Sequence, residues 1–158
     1  MCKIDSITAI NIVRDTLRNN LQDPYTLAGG KKRLGWIFAD EPVSSPTYPL
    51  IQIKKSDNPS TPIDIGDNYM EHEQVFMKVW CNVKNGAKLT VSSVEYVNAS
   101  LVEYMLGQIK QTLKSNFNTM FDLGVGGYKH LNTTQIGYNS TTQLYYGAVT
   151  IRVWFFRR

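Results

Sequence analysis

The side chains able to do chemistry near neutral pH are few in this sequence: two histidines, His72 and His130, and two cysteines, Cys2 and Cys81. His72 stands in the string Glu71-His72-Glu73, which could hold a metal if all three side chains faced one way. The flanking alternation reads as a strand, where neighbours point to opposite faces, so the carboxylates part company with the imidazole. A site drawn from His72, His130, Cys2 and Cys81 would need distant segments to meet, and no ligand spacing suggests it. No Ser, Thr or Cys is paired by spacing with a base that would activate it. Two glycine stretches, Gly29-Gly30-Lys31-Lys32 and Gly124-Val125-Gly126-Gly127-Tyr128-Lys129, lack the Gly-Lys-Ser/Thr ending with which a phosphate loop sets its lysine and metal ligand. Both read as turns. The sequence therefore implies no catalytic residue, no metal and no cofactor. Weight moves to structure or assembly.

Composition bounds the rest. A chain of 158 residues suits one domain, 1–158, large enough to bury a core without disulfides. Apolar content of 42% against 19% charged places it with soluble globular proteins rather than disordered ones. The net charge of +4 is weakly basic and spread out, which favours ordinary surface composition over a nucleic-acid footprint. Lys31-Lys32-Arg33 and Arg157-Arg158, with many aromatics, keep a nucleic-acid-binding module as an alternative. Cys81 falls on the apolar side of a strand and reads as a small core residue, and nothing suggests a disulfide framework. No apolar run reaches the length of a membrane span, and the first residues carry no secretory signal core. Synthesis in a cytoplasm and no membrane partner are expected.

Two elements organise the chain. From Tyr69 to Val83 the odd positions Val75, Met77, Val79, Cys81 and Val83 are apolar while the even ones are mixed, the pattern of a half-buried strand. After a break at Asn85-Gly86, the residues Val94, Val97, Leu101, Met105, Ile109, Leu113 and Phe117 recur at three- and four-residue spacing, with Val102 and Leu106 widening the stripe. That predicts a long amphipathic helix. Before them, Ser6 is placed to cap a helix with the stripe Ile7, Ile10, Val13, Leu17 and Leu21, ended by Asp23-Pro24. Residues 24–35 read as a mobile loop, Leu34 to Phe38 as a short strand, Asp40 to Pro49 as a loop and Leu50 to Lys54 as a strand. Ser56 to Pro62 is turn-rich. Beyond Phe117 a long polar loop is expected over 118–143, with a strand from Leu131 to Tyr138 and a turn at Asn139-Ser140-Thr141-Thr142. The chain ends on a strong strand, Leu144 to Phe156, antiparallel to its predecessor.

The fold class expected is α+β: a mostly antiparallel sheet of about four to five strands, two helices packed on one face, and a protruding hairpin or loop arm. The arm is argued from length. A strand of about 15 residues spans about 50 Å, more than a small sheet needs, so Glu71 to Glu73 should project or pair with another subunit.

The layout resembles the tail terminator (tail completion, tail-to-head joining) proteins of long-tailed viruses of bacteria and archaea. The resemblance rests on an N-terminal helix followed by the strand Tyr-Pro-Leu-Ile-Gln-Ile (48–53) and the strand Glu-Gln-Val-Phe-Met-Lys-Val-Trp (73–80). It continues through the helix Leu-Val-Glu-Tyr-Met-Leu-Gly-Gln-Ile (101–109) and the strand Tyr-Gly-Ala-Val-Thr-Ile-Arg-Val-Trp-Phe (146–155). It implies a non-enzymatic virion protein at the head-proximal end of the tail. Such a protein forms a homo-oligomer, a hexameric ring, between the tail tube protein and the head connector or stopper protein, with DNA passing through its lumen. Head-closure and neck proteins are similar in size. Candidate contacts between subunits or with partners are Glu71, His72 and Glu73 in the arm, Lys31, Lys32 and Arg33 in the loop, and Trp154 and Phe156 in the last strand.

Overall fold

Two strands of nearly equal length frame the molecule, whose computed structural model describes residues 4–33, 35–39, 46–55, 63–65, 68–82 and 88–156, without the side chains of 63–65 and 68–70. In chain order the elements are α1 (Ser6–Asn20), α2 (Pro24–Leu27), β1 (Ile37–Ala39), β2 (Leu50–Lys55), β3 (Ile63–Ile65), β4 (Asn68–Asn82), β5 (Lys88–Val91), β6 (Val94–Val97), α3 (Ala99–Ser115), α4 (Phe117–Asp122), β7 (Val125–Thr133), β8 (Gly137–Asn139) and β9 (Leu144–Phe156). Cys2, Leu34, the Ser56 to Pro62 turn, Asn85-Gly86 and Arg157-Arg158 lie outside the described residues.

The main sheet runs β1-β2-β4-β9-β7, with β3 added to β4 and β8 to β9; a separate hairpin pairs β5 with β6. All pairings are antiparallel except β1 with β2. The fold is α+β, as the patterning implies. Alternation along β4 sends Glu73, Val75, Met77, Val79 and Cys81 to one side, where they are buried. Val149, Ile151, Val153 and Phe155 of β9 join them. Leu101, Val102, Met105, Leu106, Ile109 and Leu113 of α3 and Ala9, Val13 and Leu17 of α1 close over that side in one core. Each such Leu, Ile or Val contributes about 1.5–3 kcal/mol by leaving water.

The arm is corrected. Met70 to Asn82 pairs without a break against Phe156 to Leu144, so Glu71, His72 and Glu73 lie within the ladder opposite Phe155, Trp154 and Val153. The reason is that β9 is 13 residues long, enough to satisfy the backbone groups that a projecting β4 would leave open. Among the described residues, Asn68 and Tyr69 of β4, paired with Ile65 and Asp64 of β3, continue past the last described residue of β9.

Other boundaries move for local reasons. Asp5, not Ser6, caps α1: its carboxylate accepts from the Thr8 N–H at 2.7 Å. The buried stripe also differs from the expected one: Ala9, Val13 and Leu17 face the core, whereas Ile7 is 68% exposed. Residues 24–27, expected as loop, form α2, capped by Asp23 with Pro24 in its first turn. Val94 and Val97 belong to β6, because Ser92 and Ser93 take positive φ (49° and 65°) and turn the chain back as a hairpin before α3 begins. The polar loop expected over 118–143 holds α4, β7 and β8. Gly124 does turn, at φ 111°, but Gly126 and Gly127 lie in β7, where the register shifts by a bulge.

Gly147 lets α3 and the 134–136 link approach β9 closely: a Cβ there would stand 2.9 Å from Leu106 Cδ1, 3.0 Å from Ile136 Cδ1 and 3.2 Å from Val102 Cγ1. Gly147→Val should therefore lower stability by about 1–3 kcal/mol through overpacking. Urea unfolding checks this, and an unchanged midpoint would mean that α3 is free to move away.

Candidate partner-binding face of the sheet

The alternation that buries one side of β4 and β9 sets their other side outward, and the register orders it in rows. Trp80 lies between Leu50 and Tyr146; Lys78 between Gln52 and Ala148; Phe76 between Lys54 and Thr150. Gln74 lies beside Arg152, which faces Lys129 on β7; His72 lies beside Trp154, and Phe156 follows. Phe76, Lys78, Trp80, Tyr146, Arg152, Trp154 and Phe156 are half-buried and Lys54 and Lys129 exposed, while Leu50, Gln52, Ala148 and Thr150 between them are buried. None of the register positions of this face carries a carboxylate among the described residues.

At one end Trp80 and Tyr146 meet with centroids 5.5 Å apart, tilted by 47°. Lys78 Nζ stands 3.9 Å from the Trp80 centroid and 4.5 Å from that of Tyr146, within cation–π range of both. Burial lowers the Lys78 pKa, and the nearby charge of Lys54 lowers it further. Tyr146 has room because Gly137 faces it: a Cβ at Gly137 would stand 2.5 Å from Tyr146 Cζ. At the other end Trp154 and Phe156 cover the bare backbone of β7, with ring carbons 3.7 and 3.5 Å from where Cβ atoms of Gly127 and Gly126 would be. Between the two ends Arg152 Nε is buried and has no hydrogen-bond partner among the described residues.

Of the residues singled out from sequence, the structure brings His72, Trp154 and Phe156 together on this face. Glu71 and Glu73 lie on the helix side, and Glu73, at 1% exposed, is held by Lys55 Nζ at 2.8 Å. Lys31 and Lys32 are exposed in the segment after α2, away from this face. Arg33 is not a surface cation. Its guanidinium grips Asp23 through Nε and Nη2 at 2.7 and 2.6 Å, donates to the Thr47 and Pro49 carbonyls, and lies over the Tyr25 and Trp36 rings. It ties α2 to the approach of β2. Sequence reasoning missed Lys54, Lys78, Trp80, Lys129, Tyr146 and Arg152; the signal was the mixed even side of β4 and β9, which only the register assembles.

The two histidines stand on opposite sides of the sheet. His130 lies on the helix side opposite Ile151, its Nε2 2.9 Å from Thr133 Oγ1, and so does not meet His72. No three His, Cys, Asp or Glu side chains converge among the described residues. A cavity of ≈ 250 Å³ between α1, α3 and β5 is lined by Leu21, Trp36, Leu89, Tyr104 and Met105 among others, with no carboxylate, imidazole or amine. Burial pushes the Cys81 thiol up to about 11, against a smaller opposing hydrogen bond to the Asn98 backbone. Among the described residues no helix is long and apolar enough to cross a membrane.

No protein-family model and no curated protein matches the chain. Among solved structures, a chain of one titled "Virion of native gene transfer agent (GTA) particle" aligns over 93% of each chain with a TM-score of 0.48 and 11% identity. A likeness at that level fixes neither fold nor function.

Two outcomes follow. With 9% and 12% of their side chains exposed, Arg33 and Asp23 form a buried pair. Arg33→Ala should cost about 3–5 kcal/mol and Arg33→Lys less; a loss under about 1 kcal/mol in urea unfolding would make the pair an ordinary surface one. In a Cys2→Ser background, Cys81 should react with an aromatic disulfide reagent only as fast as the protein opens. The folded thiol keeps its proton where the unfolded one ionises. The Cys81 contribution to stability is thus whole below about pH 9 and is lost as pH rises toward about 11, and Cys81→Ala should remove that part of the slope.

Proposed function

We propose that this chain is a structural, non-enzymatic virion protein that assembles as a ring at the head-proximal end of a viral tail. In this reading it terminates the tail tube and joins it to the head connector, with DNA passing through the lumen. The carrying observation is the open face of the main sheet. It displays Phe76, Trp80, Tyr146, Trp154 and Phe156 with cations between them, where a domain working alone would display small polar side chains. Aromatic residues with arginine are the composition of surfaces that bury against partners. The order of elements, with helices on one side of an antiparallel sheet, is the layout that the resemblance to tail terminators implies. Ring stoichiometry and the tail-tube and connector partners come from that resemblance alone. The paired β4–β9 ladder removes the argument from unpaired ribbons and leaves the face as the physical ground.

A head-closure or neck connector would use the same face and differ in which partner it seats. A nucleic-acid-binding module is favoured by one specific observation, the cations Lys54, Lys78, Lys129 and Arg152 on a face without a described carboxylate. Its mark would be a steep fall of affinity with salt for a DNA fragment.

Light scattering on the purified chain, alone and mixed with a tail tube protein of the same virus, tests the assembly reading, with end-on electron micrographs. Rings of about six copies capping tube ends are expected from the family resemblance, since heterologous contacts close into rings. A monomer that never attaches to the tube would end this reading.

A further inference from the structure

Lys129 and Arg152 face each other across the β7–β9 ladder, and directly opposed like charges repel. Lys78 stands on the same face two rows away. With no carboxylate among the described register positions of this face, and with Arg152 Nε buried and without a hydrogen-bond partner among the described residues, this surface is complementary to an anion. It is aromatic at both ends, so its complement needs apolar groups flanking the charge. A nucleic acid fits less well. Lys78 Nζ caps both the Trp80 and Tyr146 rings, and a base could stack there only by displacing it.

The chain carries such a complement on the other side of its own sheet. Phe121 and Leu123, 41% and 52% exposed, flank exposed Asp122 at the end of α4. Asp122 makes no ion pair among the described residues, whereas Glu95, beside exposed Val94, is held by Lys88 at 3.5 Å. The knob lies on the helix side, because Met120 enters the core and Phe117 packs on Tyr128 with centroids 5.8 Å apart.

Resting on the ring reading above, we infer that the cationic centre of the open face docks the Phe121-Asp122-Leu123 knob of a second copy, head to tail. Two copies closing face to face in register would set the cations of one against those of the other, which disfavours that arrangement. The socket and the knob lie on opposite sides of one sheet. Each copy therefore offers a socket to one neighbour and a knob to the next, the heterologous geometry that can close into a ring.

Charge exchange in the full chain tests this by light scattering. Lys129→Glu with Arg152→Glu reverses the socket, and Asp122→Lys reverses the knob. Each variant alone should fall to the monomer mass, and their equimolar mixture should assemble again. The reversed socket then takes the reversed knob, and the native socket takes the native Asp122. Because Arg152 is half-buried, Lys129→Glu alone serves as the version least able to disturb folding, with an expected weakening of about tenfold. If both variants assemble like the wild type, the docking inference is overturned while the ring reading stands. A wild type that stays monomeric at every concentration and with the tube present overturns both. A mixture that yields only dimers overturns the head-to-tail geometry. Variants that assemble normally but lose a short fluorescent single-stranded oligonucleotide overturn the inference in favour of nucleic acid.

Discussion

The ladder between β4 and β9 is the constraint on which the rest depends. Its register runs unbroken from Met70 opposite Phe156 to Asn82 opposite Leu144. Once set, it decides which side of every residue in both strands faces α1 and α3. A slip by one residue would turn Val75, Met77 and Val79 outward and bring Phe76, Lys78 and Trp80 under the helices. Burying a lysine amine without a partner is far costlier than any packing such a slip could recover. The charged residues of the outer face thus help to specify the inner one.

That two-sidedness has a consequence for function. A sheet covered on one side is ordinary for antiparallel folds, and the free side is normally polar. Here the free side keeps large aromatic rings: Gly137 on β8 leaves room for Tyr146, and Gly126 and Gly127 on β7 lie in ordinary contact beneath Phe156 and Trp154. Gly126, Gly127 and Gly137 each stand where a side chain would meet Phe156, Trp154 or Tyr146. The rings of Trp154 and Phe156 thus rest against the backbone of β7 rather than standing free in solvent. Pre-ordering of that kind lowers the entropy lost on binding.

How much of this was legible in the sequence depended on distance along the chain. The period-2 pattern of β4, the stripe of α3 and the terminal β9 are local signals, and each was readable from its own residues. What failed needed a partner far away in sequence. Val94 and Val97 continue the spacing of α3, yet two serines at positive φ fold them into a hairpin, and neither serine announces a turn as Asn-Gly would. Arg33 looked like one of three solvated cations because Asp23 and the Thr47 and Pro49 carbonyls reach it only in the fold. Gly126 and Gly127 looked like a turn because the rings that cover them come from β9. The same holds for the open face: its cations sit on separate strands, and no segment alone displays a patch.

The edges of the sheet bear on where a partner could add. An exposed edge strand offers unpaired N–H and C=O groups and tends to recruit another chain. At one edge β1 is three residues long, too short to template a stable addition. At the other, β7 changes register twice, between Val125 and Gly127 and between His130 and Asn132, which interrupts the regular spacing that an added strand would need. With both edges blunted, strand-to-strand growth is disfavoured. The large surface still able to bury aromatic area is the open face, whose like charges oppose stacking on itself. Blunted edges of this kind disfavour growth by strand addition, which leaves the faces of the sheet as the surfaces through which the proposed head-to-tail assembly would form.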